Sequence, residues 1–131
     1  MELHHVGVAV PDLAEAAERY RDLGYRLIAE EILPEQGVHA AMLQSGASRI
    51  ELLEPMGPET TVGRFLEKRG PGLHHLAFST SDLPALLTRL RAEGVRLIDE
   101  APRRGFGGHW VAFAHPKGYG GVLVEFVEEP R

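Results

Sequence analysis

The stretch Leu3-His4-His5-Val6-Gly7-Val8-Ala9-Val10 decides the fold, because it occurs again as Leu73-His74-His75-Leu76-Ala77-Phe78-Ser79-Thr80. His5 to His75 is an offset of 70 residues, and the same offset holds further along. It pairs Asp12 with Asp82, Leu13 with Leu83, Arg19 with Arg89, Gly24 with Gly94, Arg26-Leu27-Ile28 with Arg96-Leu97-Ile98, and Glu30 with Glu100. So many matches in one register mark two copies of one supersecondary unit. A site assembled from equivalent positions of both copies is therefore the first place to look for function.

Each copy opens with a buried strand, in which alternation puts the two histidines on opposite faces. His4 shares its face with Val6, Val8 and Val10, an apolar set that needs helix cover. His5 shares its face with Leu3, Gly7 and Ala9, whose small side chains leave room beside it. In the second copy His74 goes with Leu76 and Phe78, and His75 with Ala77 and Ser79. His5 and His75 are thus expected to face a space, and His4 and His74 to face packing.

A capping-box-like start at Asp12 and Glu15 opens a helix that Gly24 stops. Its partner starts at Ser81 or Asp82 and ends at Gly94. Residues 25–32, 38–44 and 49–54 then read as strands, and 59–69 as a short amphipathic connector helix. The second copy repeats strand, helix and strand, followed by 107–114 and 121–127 as a hairpin around His115-Pro116-Lys117-Gly118-Tyr119-Gly120. The expected fold is α+β: two paired βαβββ modules in one domain, 1–131, with strands curving around a metal-binding cleft. Module one is 1–56, the connector 57–70 and module two 71–131.

Composition removes several function classes. The chain of 131 residues has a net charge of −5, so no basic footprint supports nucleic-acid binding. It has no cysteine, which excludes disulfide scaffolds, thiolate nucleophiles and cysteine metal sites. No signal segment opens it and no apolar run approaches ~20 residues, so no membrane partner and a cytoplasmic location are expected. Gly118 to Gly121 lacks any phosphate-loop context and reads as a hairpin turn.

Glu51 sits in the last strand of module one, and Glu125 in the last strand of module two within Val122-Leu123-Val124-Glu125-Phe126-Val127. An acid inside such a run must be paired, protonated or metal-bound if it is buried. Any one of these residues alone reads as ordinary structure. Because each copy keeps a histidine on its small-residue face and a glutamate in its last strand, His5, Glu51, His75 and Glu125 read as the ligands of a divalent first-row ion such as Co, Ni, Zn, Mn or Fe. Four protein ligands on an octahedral ion leave two positions for a chelating substrate. His39, His109 and His115 read as surface or loop histidines, and Glu30, Glu31, Glu128 and Glu129 as solvated charges.

With these residues in view, the chain resembles the vicinal oxygen chelate superfamily (glyoxalase, bleomycin resistance, dioxygenase) and, within it, the methylmalonyl-CoA epimerase family. The resemblance spans nearly the whole length. It rests on His5-Val6-Gly7-Val8-Ala9-Val10-Pro11-Asp12, Glu35-Gln36-Gly37-Val38, Ile50-Glu51-Leu52-Leu53-Glu54-Pro55 and Gly72-Leu73-His74-His75. The most specific match is His115-Pro116-Lys117 followed by Gly120-Gly121-Val122-Leu123-Val124-Glu125.

The resemblance implies a glyoxalase-like metalloenzyme, usually a homodimer, that interconverts (2R)- and (2S)-methylmalonyl-CoA, a small acyl-CoA. By position His5, His75 and Glu125 match family metal ligands, and Glu51 falls at the fourth, which is glutamine in some members and glutamate in others. Cobalt is the expected ion, with Ni, Mn or Zn as alternatives. Some bacterial members carry a further, non-ligating glutamate at the position of Ala40; this chain does not. The chemistry needs two acid/base groups flanking one carbon and a Lewis acid to stabilise the enolate. Glu51 and Glu125 are the expected pair. A glyoxalase I-type lactoylglutathione lyase would use the same ligands, and a metal-free binding or resistance module the same fold. An extradiol dioxygenase needs only two histidines and one carboxylate, and Glu51 as a fourth ligand argues against it.

Overall fold

The computed structural model describes residues 1–129. Its internal contacts divide the chain into two compact units, residues 5–74 and residues 1–4 with 75 onward. The division falls between the two histidines of each doublet.

The first unit holds most of β1 (Leu3–Ala9), then α1 (Leu13–Arg21), β2 (Arg26–Leu33), β3 (Val38–Ser45), β4 (Ser48–Pro55) and α2 (Thr61–Arg69). Its strands lie in the order β2-β3-β4-β1, with β1 parallel to β4 and the other pairs antiparallel. Asp12 caps α1, its carboxylate accepting the Glu15 N–H at 3.1 Å, as the sequence predicts. The N–H of Leu13 donates to Glu54 Oε2 at 3.1 Å, so the end of β4 also holds the helix start. Val8, Val10, Leu13, Ala17, Ala41, Leu43 and Leu52 form the core under α1, with Val6 packed against it. That is the valine face expected for β1.

The second unit is built from β5 (Gly72–Ser79), α3 (Leu83–Ala92), β6 (Arg103–Arg104), β7 (Trp110–Ala114) and β8 (Val124–Glu128). Strand order is β5-β8-β7-β6, with β5 parallel to β8. The donors at the start of α3 can be accounted for completely. The Asp82 N–H goes to Thr80 Oγ1, the Leu83 N–H to Glu128 Oε1 at 2.6 Å, and the Ala85 N–H to Asp82 Oδ1, while Pro84 has no N–H to satisfy. Leu83, Leu86, Leu87 and Leu90 then bury one stripe of α3 on Ala112, Ala114, Val124 and Phe126.

Three strand readings change. The counterpart of β2 in the second unit survives only as two fragments. Leu97 bridges Ala114 as Leu27 pairs with Leu43, and Arg103 lies opposite Val111 much as Glu31 lies opposite Ala40. Between the fragments the Asp99 carboxylate takes over the strand's role, accepting the Phe113 N–H at 2.9 Å and the Arg103 Nε–H at 3.1 Å, and Pro102 has no N–H for the ladder. At 106–108 a 3-10 turn replaces the expected strand start, with Gly107 and Gly108 at φ +71 and +76. The loop after His115 is a 3-10 turn over Pro116–Tyr119, and β8 begins at Val124 rather than at Gly121, whose φ of +91 is not a strand conformation.

Candidate metal centre

In the first unit the parallel register places Gly7 opposite Glu51. Cross-strand partners share a face, and Gly7, having no side chain, adds no bulk beside the Glu51 carboxylate. The His5 Nε2 to Glu51 Oε1 distance is 3.3 Å. In the second unit Ala77 stands opposite Glu125, and His75 Nε2 lies 3.2 Å from Glu125 Oε1. All four residues are buried, at 4–7% exposure. Met42 flanks Glu51 from β3, and Phe113 flanks Glu125 from β7 at the equivalent register. The Phe113 ring meets His75 edge to face at 5.7 Å.

Each pair, one buried imidazole with one buried carboxylate, is an N/O donor set of intermediate hardness. Nitrogen and oxygen ligands bound at about 2.1 Å with angles of 90–110° stand roughly 3.0–3.4 Å apart. The imidazole–carboxylate spacings of 3.3 and 3.2 Å fit adjacent edges of such a coordination sphere. The residues present suit a divalent ion: in each unit a buried imidazole and a buried carboxylate, His5 with Glu51 and His75 with Glu125, stand at the spacing of neighbouring ligands. Ala40, fully buried, offers no acid at its position.

Several residues read as plain surface charges have specific work. His39 Nε2 is 2.6 Å from Glu30 Oε2, with Nδ1 3.7 Å from Glu54 Oε1. Glu128 accepts the first N–H of α3. His115 Nδ1 accepts the Lys117 N–H at 3.0 Å and caps its own turn. His109 meets the His4 ring, and Glu129 lies 3.5 Å from His4 Nε2. The sequence did carry a signal for Glu128: Glu54 and Glu128 follow Glu51 and Glu125 at the same spacing of three. His74 packs its ring on Phe65 at 4.9 Å, the packing role expected of it.

Comparison with known proteins bears on what such a centre serves. Residues 4–113 match the family model of the glyoxalase/bleomycin resistance protein/dioxygenase superfamily. An ethylmalonyl-CoA/methylmalonyl-CoA epimerase of Cereibacter sphaeroides is 39% identical over 126 residues, covering 94% of each chain. The crystal structure of methylmalonyl-CoA epimerase from Mycobacterium tuberculosis superposes with a TM-score of 0.94 at 46% identity, over 98% of this chain and 88% of that one. A single-residue variant of the Streptomyces coelicolor methylmalonyl-CoA epimerase, in complex with 2-nitronate-propionyl-CoA, does so with a TM-score of 0.94 at 40% identity, over 98% and 94%. The fold is glyoxalase-like and α+β, and the chain belongs to the glyoxalase/bleomycin resistance protein/dioxygenase superfamily and, within it, to the methylmalonyl-CoA epimerase family.

Proposed function

We propose that this chain is a metal-dependent epimerase that interconverts (2R)- and (2S)-methylmalonyl-CoA. The observation that carries the reading is the duplicated buried His–Glu pair, His5 with Glu51 and His75 with Glu125, at matching strand register. The relatives above, named for this reaction, support it. In this proposal the two units act as one domain and the two pairs hold one ion, cobalt(II) by preference, in a cytoplasmic homodimer.

The substrate carbon lies between a thioester and a carboxylate, and inverting it requires removal of a proton from one face and delivery of another to the opposite face. A bound divalent ion supplies Lewis-acid stabilisation of the negative charge that grows on the thioester oxygen. His5 and His75 would hold that ion through their imidazole nitrogens. One glutamate carboxylate takes the C2 proton as the C–H bond breaks, and the other, protonated, returns a proton to the far face. With Ala40 in place of an acid, Glu51 is the second base and Glu125 the first, each doubling as ligand.

The test combines elemental analysis with proton exchange in deuterated water. The expected result is at least one metal ion per chain and rapid, metal-dependent exchange at C2. Glu51→Gln and Glu125→Gln should each lower epimerisation by about 10²–10⁴-fold, the contribution typical of a positioned acid/base group. Each variant should still exchange the proton of the one epimer that its remaining carboxylate faces. If both variants exchange both epimers equally, the two-base assignment fails; if the wild-type chain binds no metal, the reading as a metalloenzyme fails.

A further inference from the structure

We propose that this chain carries a second metal site, made by His4, His109 and Glu129, which takes a divalent ion of the zinc class. None of these residues has a part in the chemistry above.

Three segments of the second unit meet here. The start of β1 is tied to the end of β5, because the Ser79 N–H donates to the Glu2 carbonyl at 2.9 Å. Trp110 lies opposite Glu128 in the β7–β8 ladder, so His109 and Glu129 are the next step of that ladder beyond the strands. His4 is 5% exposed, its Nε2 is 3.5 Å from Glu129 Oε1, and its ring stands edge to face with that of His109 at 5.9 Å and 87°. One ligand atom from each of the three residues lies within 4.8 Å of the other two.

The donor set is two imidazoles and one carboxylate, a combination that binds zinc with a fourth position left for water. The His4–Glu129 spacing of 3.5 Å exceeds an ordinary N–H···O hydrogen bond of about 2.7–3.2 Å. It is close to the ~3.4 Å between neighbouring ligands of a tetrahedral ion with bonds near 2.1 Å. The other spacings lie within 4.8 Å and must shorten toward ~3.4 Å when an ion binds; rotation of the exposed Glu129 side chain past the end of β8 and of the half-buried His109 ring supplies that movement. A further observation favours an ordered His109. A Cβ added at Gly107 would come within 3.3 Å of His109 Nε2, so the bare backbone there lets the imidazole lie against it. Gly107 has φ +71, a conformation that itself favours glycine. An ion bound here would pin the start of β1 to the start of β7 and the end of β8.

The test is a calorimetric titration of the full chain with zinc chloride, with bound zinc counted after gel filtration, for wild type, Glu129→Gln and His109→Ala. Wild type should hold one more zinc ion per chain than either variant, or bind the extra ion at least tenfold more tightly. Equal stoichiometry and affinity in all three proteins would overturn the proposal. Because the readout is a difference between proteins, it stands whether or not the first centre fills. If His109→Ala fails to fold, Glu129→Gln, at an exposed position, decides the question alone.

Discussion

Removing the Glu128 carboxylate should loosen α3 by an amount the structure allows to be worked out. The Leu83 N–H is the first donor of the helix, and its partner is Glu128 Oε1 at 2.6 Å. Leu83 itself is fully buried, and the next residue is Pro84, so neither solvent nor a neighbouring turn easily replaces the bond. Glu128→Ala loses a charge-assisted hydrogen bond and strands a donor, about 2 kcal/mol by the usual range for such bonds. For a chain of 131 residues, unfolding entropy of about 2.1 cal/mol/K per residue turns that into a fall in Tm of about 7 °C. Glu128→Gln keeps an acceptor and loses only the charge at the helix N-terminus, roughly 0.5 kcal/mol and about 2 °C. Thermal and urea denaturation of metal-free protein measure both. If the two variants fall equally, or Glu128→Ala loses less than about 0.5 kcal/mol, the carboxylate is not holding the helix and the reasoning is refuted.

Gly63→Ala in α2 should destabilise although alanine is the better helix former by about 1 kcal/mol. A Cβ there would collide with the Gly57 carbonyl oxygen and come within 2.9 Å of Pro58 Cα, and both are backbone atoms that cannot yield cheaply. A rise in Tm for this variant would show that the close approach does not matter. Tyr119 packs on the α3 core and its ring meets Phe126 at 6.3 Å. Burial raises its hydroxyl pKa above 10.0, with Arg89 pulling it down and Glu93 pushing it up. A raised folded-state pKa leaves stability whole below the unfolded value and drains it as pH climbs through the folded one. Stability should therefore fall above about pH 10 more steeply in wild type than in Tyr119→Phe, as urea midpoints across that range would reveal; parallel curves would contradict it.

What the sequence made legible follows from the periods it contains. The 70-residue repeat located both helix starts, and strand alternation sorted His5 and His75 from His4 and His74, because a period of two is a local property of the chain. Glu51 and Glu125 stand out through the repeat, as acids in the apolar last strand of each copy; alternation alone does not single them out. Alternation did not reach Glu128 either, since parity tells which face a side chain takes but not that a helix begins opposite it. Nor could it foresee that Asp99 would stand in for strand backbone, a substitution made by a side chain against a strand 14 residues away. His39 and His109 carry no such local signal for the same reason: each partner comes from a different segment, Glu30 across β2–β3 and His4 at the start of β1.

The repeat's changing offset gives the deeper reason for these successes and failures. Met42 faces Glu51 and Phe113 faces Glu125, so β3 and β7 correspond at 71 residues and β4 and β8 at 74. The three extra residues lie in the turn between β7 and β8, the very stretch that holds the 3-10 turn and the capping His115. Divergence has thus gone into a hairpin tip and a broken edge strand. The last strand of each copy is unchanged in its logic: a glutamate toward the small residue of the first strand, and three positions later, on the other face, a glutamate on the first N–H of the helix. An odd spacing is required for one strand to serve both faces. Shifting one glutamate of a strand by one residue would turn it to the wrong face and lose either the candidate ligand or the helix cap, so site and fold constrain the same strand in each copy.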